Sequence, residues 1–372
     1  MGMKNKKLLT IFIISICVYT FLVYKKVNVP IEDLTIPSLT ALDIEKQGDE
    51  EVFLIENTTY TYKKNEPKKK LNPTASGVTL GKARENYDLT SKGTILPGLQ
   101  KAILFGTKLS ETGLNKCMDL FFSTRSYTDL CQCAITRANG KDVSELNLSG
   151  DIDIADFIEG MLKSSYYGTF FSENYRLIDI YASLSSEGRN LVLPYIDIKN
   201  NSPYIVGLAL FKGDKVVKYL DVDDSKTMNI LRENNLGGII SFKESNEESI
   251  DCAVKSYRKV KYSKDSDGKF HFTINVSMIG DVILNSMYDN LSKSPEKIKE
   301  VEHKLEDTIR KQCYSFIEDM QMKYKVDCLE LGRYVIAKEG RGKDIDWNDI
   351  VCKSRIDVNI KVSLETFGRG EF

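Results

Sequence analysis

The most regular pattern of apolar and polar positions in the chain lies between Ser294 and Tyr324. Apolar side chains recur there every three or four residues, and the positions between them are mostly charged. This spacing places one apolar stripe on a long amphipathic α-helix. Serine and proline at its start suit a helix N-terminus, since Ser294 can accept from free amides and Pro295 needs no N–H. The stripe consists of Ile298, Val301, Leu305, Ile309, Cys313, Phe316, Met320 and Tyr324.

Two segments that flank this helix alternate between apolar and polar side chains, with the period of a half-buried strand. The apolar positions are Phe270, Phe272, Ile274, Val276 and Met278 in the first, and Val358, Ile360, Val362 and Leu364 in the second. Elements with one apolar face each bury those faces when the helix lies across the sheet. The sequence therefore predicts an α+β fold, with mixed α/β domains, antiparallel sheets, packed helices and the long helix in the C-terminal domain.

A chain of 372 residues is long enough for two or three domains. The clearest interior break is the polar, proline-containing run 200–203, which follows a chain of alternating strand and helix patterns. We therefore expect an N-terminal domain over 27–200, with room for two subdomains, and a C-terminal domain over 201–372.

Shorter patterns add detail to both domains. Residues 175–184 read as a strand, and Lys212 to Lys215 read as the turn of a hairpin. A helix over 225–234 is predicted to stop at Gly237 and Gly238, because glycine adopts positive φ easily.

Residues 1–26 carry the pattern of a membrane anchor or signal. Three lysines precede an apolar run of seventeen residues from Leu8 to Tyr24, and Lys25 ends it. That length is at the lower limit for a transmembrane helix but exceeds the usual core of a signal peptide. Two interpretations stay open, namely an uncleaved anchor and a processed signal or lipidated Cys17. Positive charge is denser before the run, which places the bulk of the chain outside the cytoplasm.

Composition argues against several classes of function. The formal net charge of −1 gives no indication of nucleic-acid binding. The chain has two histidines, His271 and His303, and so small a number argues against histidine catalysis and against a multi-histidine metal site. Cys131 and Cys133 form a CxC without a second pair at zinc spacing. We therefore predict no catalytic residue, no cofactor and no metal.

Three acids, Asp151, Asp153 and Asp156, cluster at the start of a predicted helix. They lack the glycine and distant glutamate of a calcium loop. Favourable interaction with the positive end of the helix explains them better.

A set of residues in the second half forms a recognisable motif: Gly207, Phe211, Lys212, Gly213, Asp214, Lys215, Gly237, Gly238, Gly332 and Trp347. It closely resembles the C-terminal domain of the Ger(x)C family, the C subunits of GerA-type nutrient germinant receptors in bacterial spores. Upstream, Ile31, Asp33 and Leu34 are similar to the motif that follows the family's lipidated cysteine, and Phe105 and Gly106 resemble its first-domain strand. The resemblance spans nearly everything after the anchor.

The resemblance implies a non-enzymatic, membrane-tethered subunit on the outer face of the spore inner membrane. Its implied partners are the integral membrane A and B subunits, one of them transporter-like, in a complex that senses nutrients and triggers ion and dipicolinate release. The family has no catalytic residues, and we expect the motif residues to shape a hairpin rather than to bind ligand.

The chain departs from the family pattern at three positions. Lys25 stands where the lipidated cysteine is expected, Leu99 where a histidine is common, and Lys218 where glycine is usual. A second hypothesis keeps the fold but makes the chain an orphan spore or envelope binding protein outside any receptor. A third, an envelope hydrolase, would depend on the acids at 151, 153 and 156.

Overall fold

The protein is described by a computed structural model that covers residues 12–20, 30, 33–48, 50–61, 69–123, 127–148, 152–342 and 345–366. Residues 12–20 form an exposed helix, α1, within the predicted apolar run, and the rest of that run lies outside the described residues. Among the helices in the described ranges, none combines the length and apolar character needed to cross a membrane.

The first half of the chain, together with two strands of the second half, builds a large mixed sheet, which has ten strands in the described residues. Its strands are β1 (Leu34–Gln47), β2 (Glu50–Thr61), β3 (Lys69–Leu71), β4 (Thr74–Gly77), β5 (Thr94–Ile95), β6 (Ala102–Gly106), β7 (Gln132–Thr136), β8 (Val192–Lys199), β9 (Ser202–Lys212) and β10 (Lys215–Leu220). The main order is β10-β9-β8-β7-β6-β1-β2-β3. The inner strands β1, β6, β7 and β8 run parallel, and antiparallel strands continue the sheet on both sides.

Helices cover both faces of this sheet. They are α2 (Leu80–Thr90), α3 (Thr107–Thr112), α4 (Asn115–Ser123), α5 (Gly140–Ser144), α6 (Ile154–Ser164) and α7 (Leu177–Leu184). Apolar residues of α2, α3, α4 and α7 form one core with the sheet, and those of α5 and α6 form another with it. The central strands β6 and β7 are buried throughout because they have a core on each side.

The second half forms a four-stranded sheet, which the long predicted helix covers. Its strands are β11 (Leu236–Lys243), β12 (Ser249–Lys264), β13 (Phe270–Asn285) and β14 (Arg355–Thr366), in that order. Its helices are α8 (Val222–Arg232), α9 (Pro295–Asp319), α10 (Leu331–Glu339) and α11 (Trp347–Cys352). All three predicted apolar faces point into one core, where Leu305, Phe272 and Val358 are buried.

The start and the stripe of the long helix are confirmed. The Ser294 side chain accepts from the Lys297 amide, Pro295 is the first helical residue, and a π-helical turn over Met320–Tyr324 ends the helix. The same helix also caps the free edge of β14, since Glu306 and Glu302 accept from two of its amides at 3.0 and 2.8 Å. This edge is therefore protected against pairing with another strand.

The α+β class is confirmed, but three details of the prediction are wrong. The pairing of β13 with β14 is parallel, because α9 makes a crossover between them. Residues 177–184 form the helix α7, not a strand. The periodicity of so short an apolar run does not distinguish a helix from a strand. Helix α8 already ends at Arg232, and the two glycines lie within strand β11.

The predicted boundary at residue 200 falls in the tight turn between β8 and β9. These two strands pair antiparallel, from Lys199 with Ser202 to Val192 with Leu210. Strands β9 and β10 of the second half therefore complete the sheet of the first. The division into domains stays a prediction about sequence modules, and the large sheet continues across it.

Candidate functional site

The motif hairpin is anchored to the first half of the chain by its turn. Gly213 takes a φ of +62° between β9 and β10, a conformation that suits glycine. The neighbouring Asp214 accepts from two amides at the start of α4, Leu114 N at 2.9 Å through its carbonyl and Asn115 N at 3.2 Å through its carboxylate. Asp214 thus caps a helix that lies a hundred residues earlier in the sequence.

Other members of the hairpin motif have simple packing roles. A Cβ at Gly207 would lie 1.9 Å from the carbonyl oxygen of Leu220, so glycine is required where the two strands approach. Phe211 is fully buried in the core between the large sheet and α2, α3, α4 and α7. Lys212 and Lys215 are exposed on either side of the turn. In this structure these four residues lie in the hairpin, as packing residues or beside its turn.

Gly237 and Gly238 receive an aromatic side chain from the first half. The carbonyl of Gly237 accepts from the amide of Phe170 at 2.8 Å. A Cβ at Gly238 would lie 2.1 to 2.5 Å from atoms of the Phe170 ring. Phe170 is buried in the core of the second sheet, so these glycines admit a residue of the first half into that core. The two glycines therefore do not end a helix, as predicted, but leave space for the Phe170 ring.

Gly332 and Trp347 pack against each other beside a buried acid. A Cβ at Gly332 would lie 3.0 Å from the Trp347 Cβ. The Gly332 amide donates to Asp327 Oδ2 at 2.8 Å, and the Leu331 amide donates to Oδ1 at 3.0 Å. Burial raises the pKa of Asp327 to about 6, although these two hydrogen bonds favour its charged form.

Asparagines connect this cluster to the first half. The Asn190 side chain donates to the Asp327 carbonyl at 3.1 Å and to Asn348 Oδ1 at 2.7 Å. Asn348 Oδ1 also accepts from the Asp327 amide at 2.8 Å. The motif residues therefore lie in three clusters, at the hairpin turn, beside Phe170 and beside Asp327, and each cluster joins the two halves of the chain.

The contacts between the two halves of the chain, which we call the junction, also include a network of ion pairs with almost fully buried side chains. Glu330 Oε1 accepts from Arg232 at 2.8 Å and from Arg189 at 3.0 Å, and Oε2 accepts from Arg333 at 3.1 Å. The Glu330 side chain is 8% exposed and that of Arg232 is 7% exposed. Burial alone would raise the pKa of Glu330, but Arg232 and Arg189 outweigh it and lower the pKa to about 2. Arg189 belongs to the first half, so this network too crosses the junction.

A polar cavity of about 600 Å³ lies next to this network. Its walls come from both halves of the chain. The lining residues are Asn174, Tyr175, Asp179, Ser183, Arg189, Leu191, Val192, Asn229, Arg232, Glu233, Asn234, Arg258, Glu330, Arg333, Tyr334 and Ala337. A cleft of this size between two parts of a chain is where small-molecule sites commonly occur.

The acids and cysteines considered from the sequence lie elsewhere. Asp153 caps α6 by accepting from Ala155 N at 2.8 Å, as expected, Asp156 pairs with Lys101, and Asp151 lies outside the described residues. Cys131 and Cys133 are buried, and all eight cysteines, which fall in described ranges, are free thiols. Within those ranges no three histidine, cysteine or acidic side chains come together as metal ligands do.

Two family models match the chain in order along its length. One, described as the N-terminal domain of a spore germination protein, matches residues 28–198, and one described as spore germination B3/GerAC-like, C-terminal, matches residues 206–368. The chain belongs to the Ger(x)C family. The spore germination protein GerQC of Bacillus cereus is 23% identical over 322 residues, which are 86% of each chain.

A solved structure has the same fold as this Ger(x)C protein. The crystal structure of the GerBC protein superimposes with a TM-score of 0.52 at 15% identity, over 87% of this chain and 97% of that chain. The family and the fold class predicted from the sequence are therefore confirmed. Membership in the family connects this protein with spore germination.

The charged residues of the junction were not found from the sequence of this Ger(x)C protein. One signal was present for Arg258, which occupies a core-facing position in the alternation of β12, in phase with Val254 and Val260. A charged residue in such a position indicates a buried contact. Arg189, Arg232 and Glu330 carry no comparable signal, because the contacts that bring these three residues together join positions distant in the sequence.

Proposed function

We propose that this protein is the C subunit of a spore nutrient germinant receptor. The observation that carries the proposal is the match of both halves, in order, to the two models of spore germination proteins. The alignment with GerQC also supports it, since it covers 86% of each chain. The subunit would act in germination by assembling with integral membrane A and B subunits, without catalysing a reaction.

The contacts of the motif residues support a structural role for the motif. Gly238 and Asp214 each permit or make a contact between the two halves, and the Gly332 amide binds Asp327, whose carbonyl accepts from Asn190 of the first half. We propose that the motif fixes the orientation of the two sequence modules, 27–200 and 201–372, and so presents one rigid surface to the partner subunits. The exposed lysines beside the hairpin turn are motif residues that a partner can reach.

We propose that residues 1–26 tether the protein to the spore inner membrane, with the bulk of the chain on the outer face. The long apolar run and the lysines that precede it support this orientation. Lys25 stands in the position of the family's lipidated cysteine, which favours the apolar run itself as the anchor.

The test is purification of a C-terminally tagged copy from the inner membrane of dormant spores, followed by mass spectrometry. Recovery together with a transporter-like protein and a second multi-span protein is the expected result. The mass of the N-terminal peptide separates an intact apolar run from a lipidated Cys17. If the chain is recovered alone, and spores that lack it respond normally to every nutrient, it is an orphan envelope protein.

A pair of charge reversals tests the motif in the same assay. Lys215→Glu changes an exposed motif residue, and Lys299→Glu changes an exposed residue of α9 outside the motif. Reduced partner recovery with Lys215→Glu alone would assign a partner contact to the hairpin. Equal recovery would leave the motif with its structural role only.

A further inference from the structure

Two residues that line the cavity at the junction carry buried nitrogen donors without acceptors among the described residues. Arg258 is 8% exposed. Its terminal nitrogens donate to the Arg232 carbonyl at 2.7 Å, the Leu329 carbonyl at 2.9 Å and the Tyr334 hydroxyl at 3.2 Å. Its Nε donates to no group in the part of the chain that the structure describes. An unpaired donor in such a place is costly, because it has lost water and gained nothing in exchange.

A second donor lies on the same cavity. The Nδ2 of Asn229 is buried beside the Tyr175 hydroxyl without a hydrogen bond of normal geometry among the described residues. Both nitrogens are covered by neighbouring atoms. A ligand in the cavity therefore contacts them only if the two side chains move. Among the buried side-chain atoms of the described lining residues, the two that lack a partner are both donors, which favours a ligand that supplies acceptor oxygens.

The charges of the lining indicate the sign of that ligand. Four guanidinium groups face the cavity, and three carboxylates oppose them. One of the carboxylates, Asp179, is also bound by Arg176 at 2.8 Å, outside the lining. The lining therefore carries an excess positive charge, to which Arg176 adds, and this excess favours an anionic ligand. Leu191, Val192 and Ala337 add apolar surface for an organic portion.

We propose that the cavity binds a small organic anion through its carboxylate, with Arg258 and Asn229 as donors and Arg333 as an accessible positive charge. Arg258 and Arg333 belong to the second half, while Arg189 and Tyr175 line the cavity from the first. A ligand held here contacts both halves and stabilises their junction, since it binds only the assembled state. The proposal does not rest on the receptor role, because binding is measured on the purified chain alone.

The test compares benzoate with its neutral isostere benzamide, at matched ionic strength. The full-length chain is kept in a mild detergent, and dissociation constants are measured by saturation-transfer NMR titration. Benzoate is expected to bind and benzamide to bind at least about tenfold more weakly, because a charge-assisted hydrogen bond is replaced by a neutral one.

Two variants on α10 locate the binding. Arg333→Gln removes a charge that lines the cavity, and because its side chain is 59% exposed we expect the variant to fold. Lys338→Gln removes a charge from the same helix outside the lining. We expect Arg333→Gln to weaken benzoate binding about three- to tenfold and Lys338→Gln to leave it unchanged. Equal binding of benzoate and benzamide, or equal behaviour of the two variants, would overturn the proposal and leave a cavity that holds only water.

Discussion

Replacing Glu330 by glutamine tests the ionic network that joins the two halves. The carboxylate of Glu330 accepts from Arg232, Arg189 and Arg333, and both Glu330 and Arg232 are more than nine-tenths buried. Glutamine keeps the size of the side chain but removes its charge. The buried Arg232 guanidinium then loses its best-buried counter-charge and keeps only the more exposed carboxylate of Glu233, at 3.2 Å. Loss of one partner from a buried ion pair is among the costliest defects in a protein interior.

The size of the effect follows from the pKa of Glu330, which falls from its ordinary 4.5 to about 2. At 1.36 kcal/mol for each pKa unit, the charged form contributes about 3 kcal/mol to the free energy of unfolding. Loss of one partner of a buried ion pair independently costs about 3 to 5 kcal/mol. A depressed folded-state pKa means that this contribution is complete above about pH 4.5 and disappears as the pH falls towards 2.

Urea unfolding, followed by far-UV circular dichroism and by the fluorescence of Trp347, measures the effect. The matched control is Glu339→Gln, which removes a carboxylate of α10 whose ion pair with Lys264 is more exposed. We expect a loss of about 3 kcal/mol for Glu330→Gln at pH 7 and less than about 1 kcal/mol for the control. The difference between wild type and Glu330→Gln should shrink as the pH falls below 4.5. Equal free energies of unfolding for the two variants at pH 7 would refute the reasoning.

Three further substitutions probe other parts of the fold. Leu305→Ala, in the fully buried stripe of α9, should lower the free energy of unfolding by about 2 to 5 kcal/mol in urea melts. Gly238→Ala meets the Phe170 ring and should lower the melting temperature more than Gly213→Ala, whose Cβ has open space but positive φ. Asp327→Asn removes a group with a raised pKa. Relative to wild type, its free energy of unfolding should rise by about 3 kcal/mol between pH 4 and pH 7.

Each of these predictions has a control. Lys299→Ala on the exposed side of α9 should change the free energy of unfolding by less than about 0.5 kcal/mol, and a loss equal to that of Leu305→Ala would mean that the wrong face is buried. Similar melting of the two glycine variants would contradict the close approach of Phe170. For Asp327, the raised pKa means that wild-type stability falls as the pH rises through about 6. A parallel pH profile in Asp327→Asn would show that the carboxyl does not titrate in this range.

The elements that the sequence predicted best are those whose signal repeats within a few residues. The stripe of α9 and the alternation of β13 and β14 needed only the local period of apolar side chains, so their buried faces were identified correctly. Helix α7 was missed because its run of Leu177 to Tyr181 is too short for the period to separate a helix from a strand. The motif residues of the candidate site were found through their resemblance to a family, although the contacts that explain them were not visible.

The sequence by itself determined the α+β class, the long helix with its inward face, and the membership in the Ger(x)C family. Only the tertiary structure decided that β9 and β10 extend the sheet of the first half and that the Phe170 ring packs against Gly238. It also decided that the buried side chains of Arg232 and Glu330 form an ion pair. Such pairings join residues that are distant along the chain, and no local pattern encodes their distance. The cavity at the junction exists for the same reason, since its walls come from two separate stretches of sequence that only folding brings together.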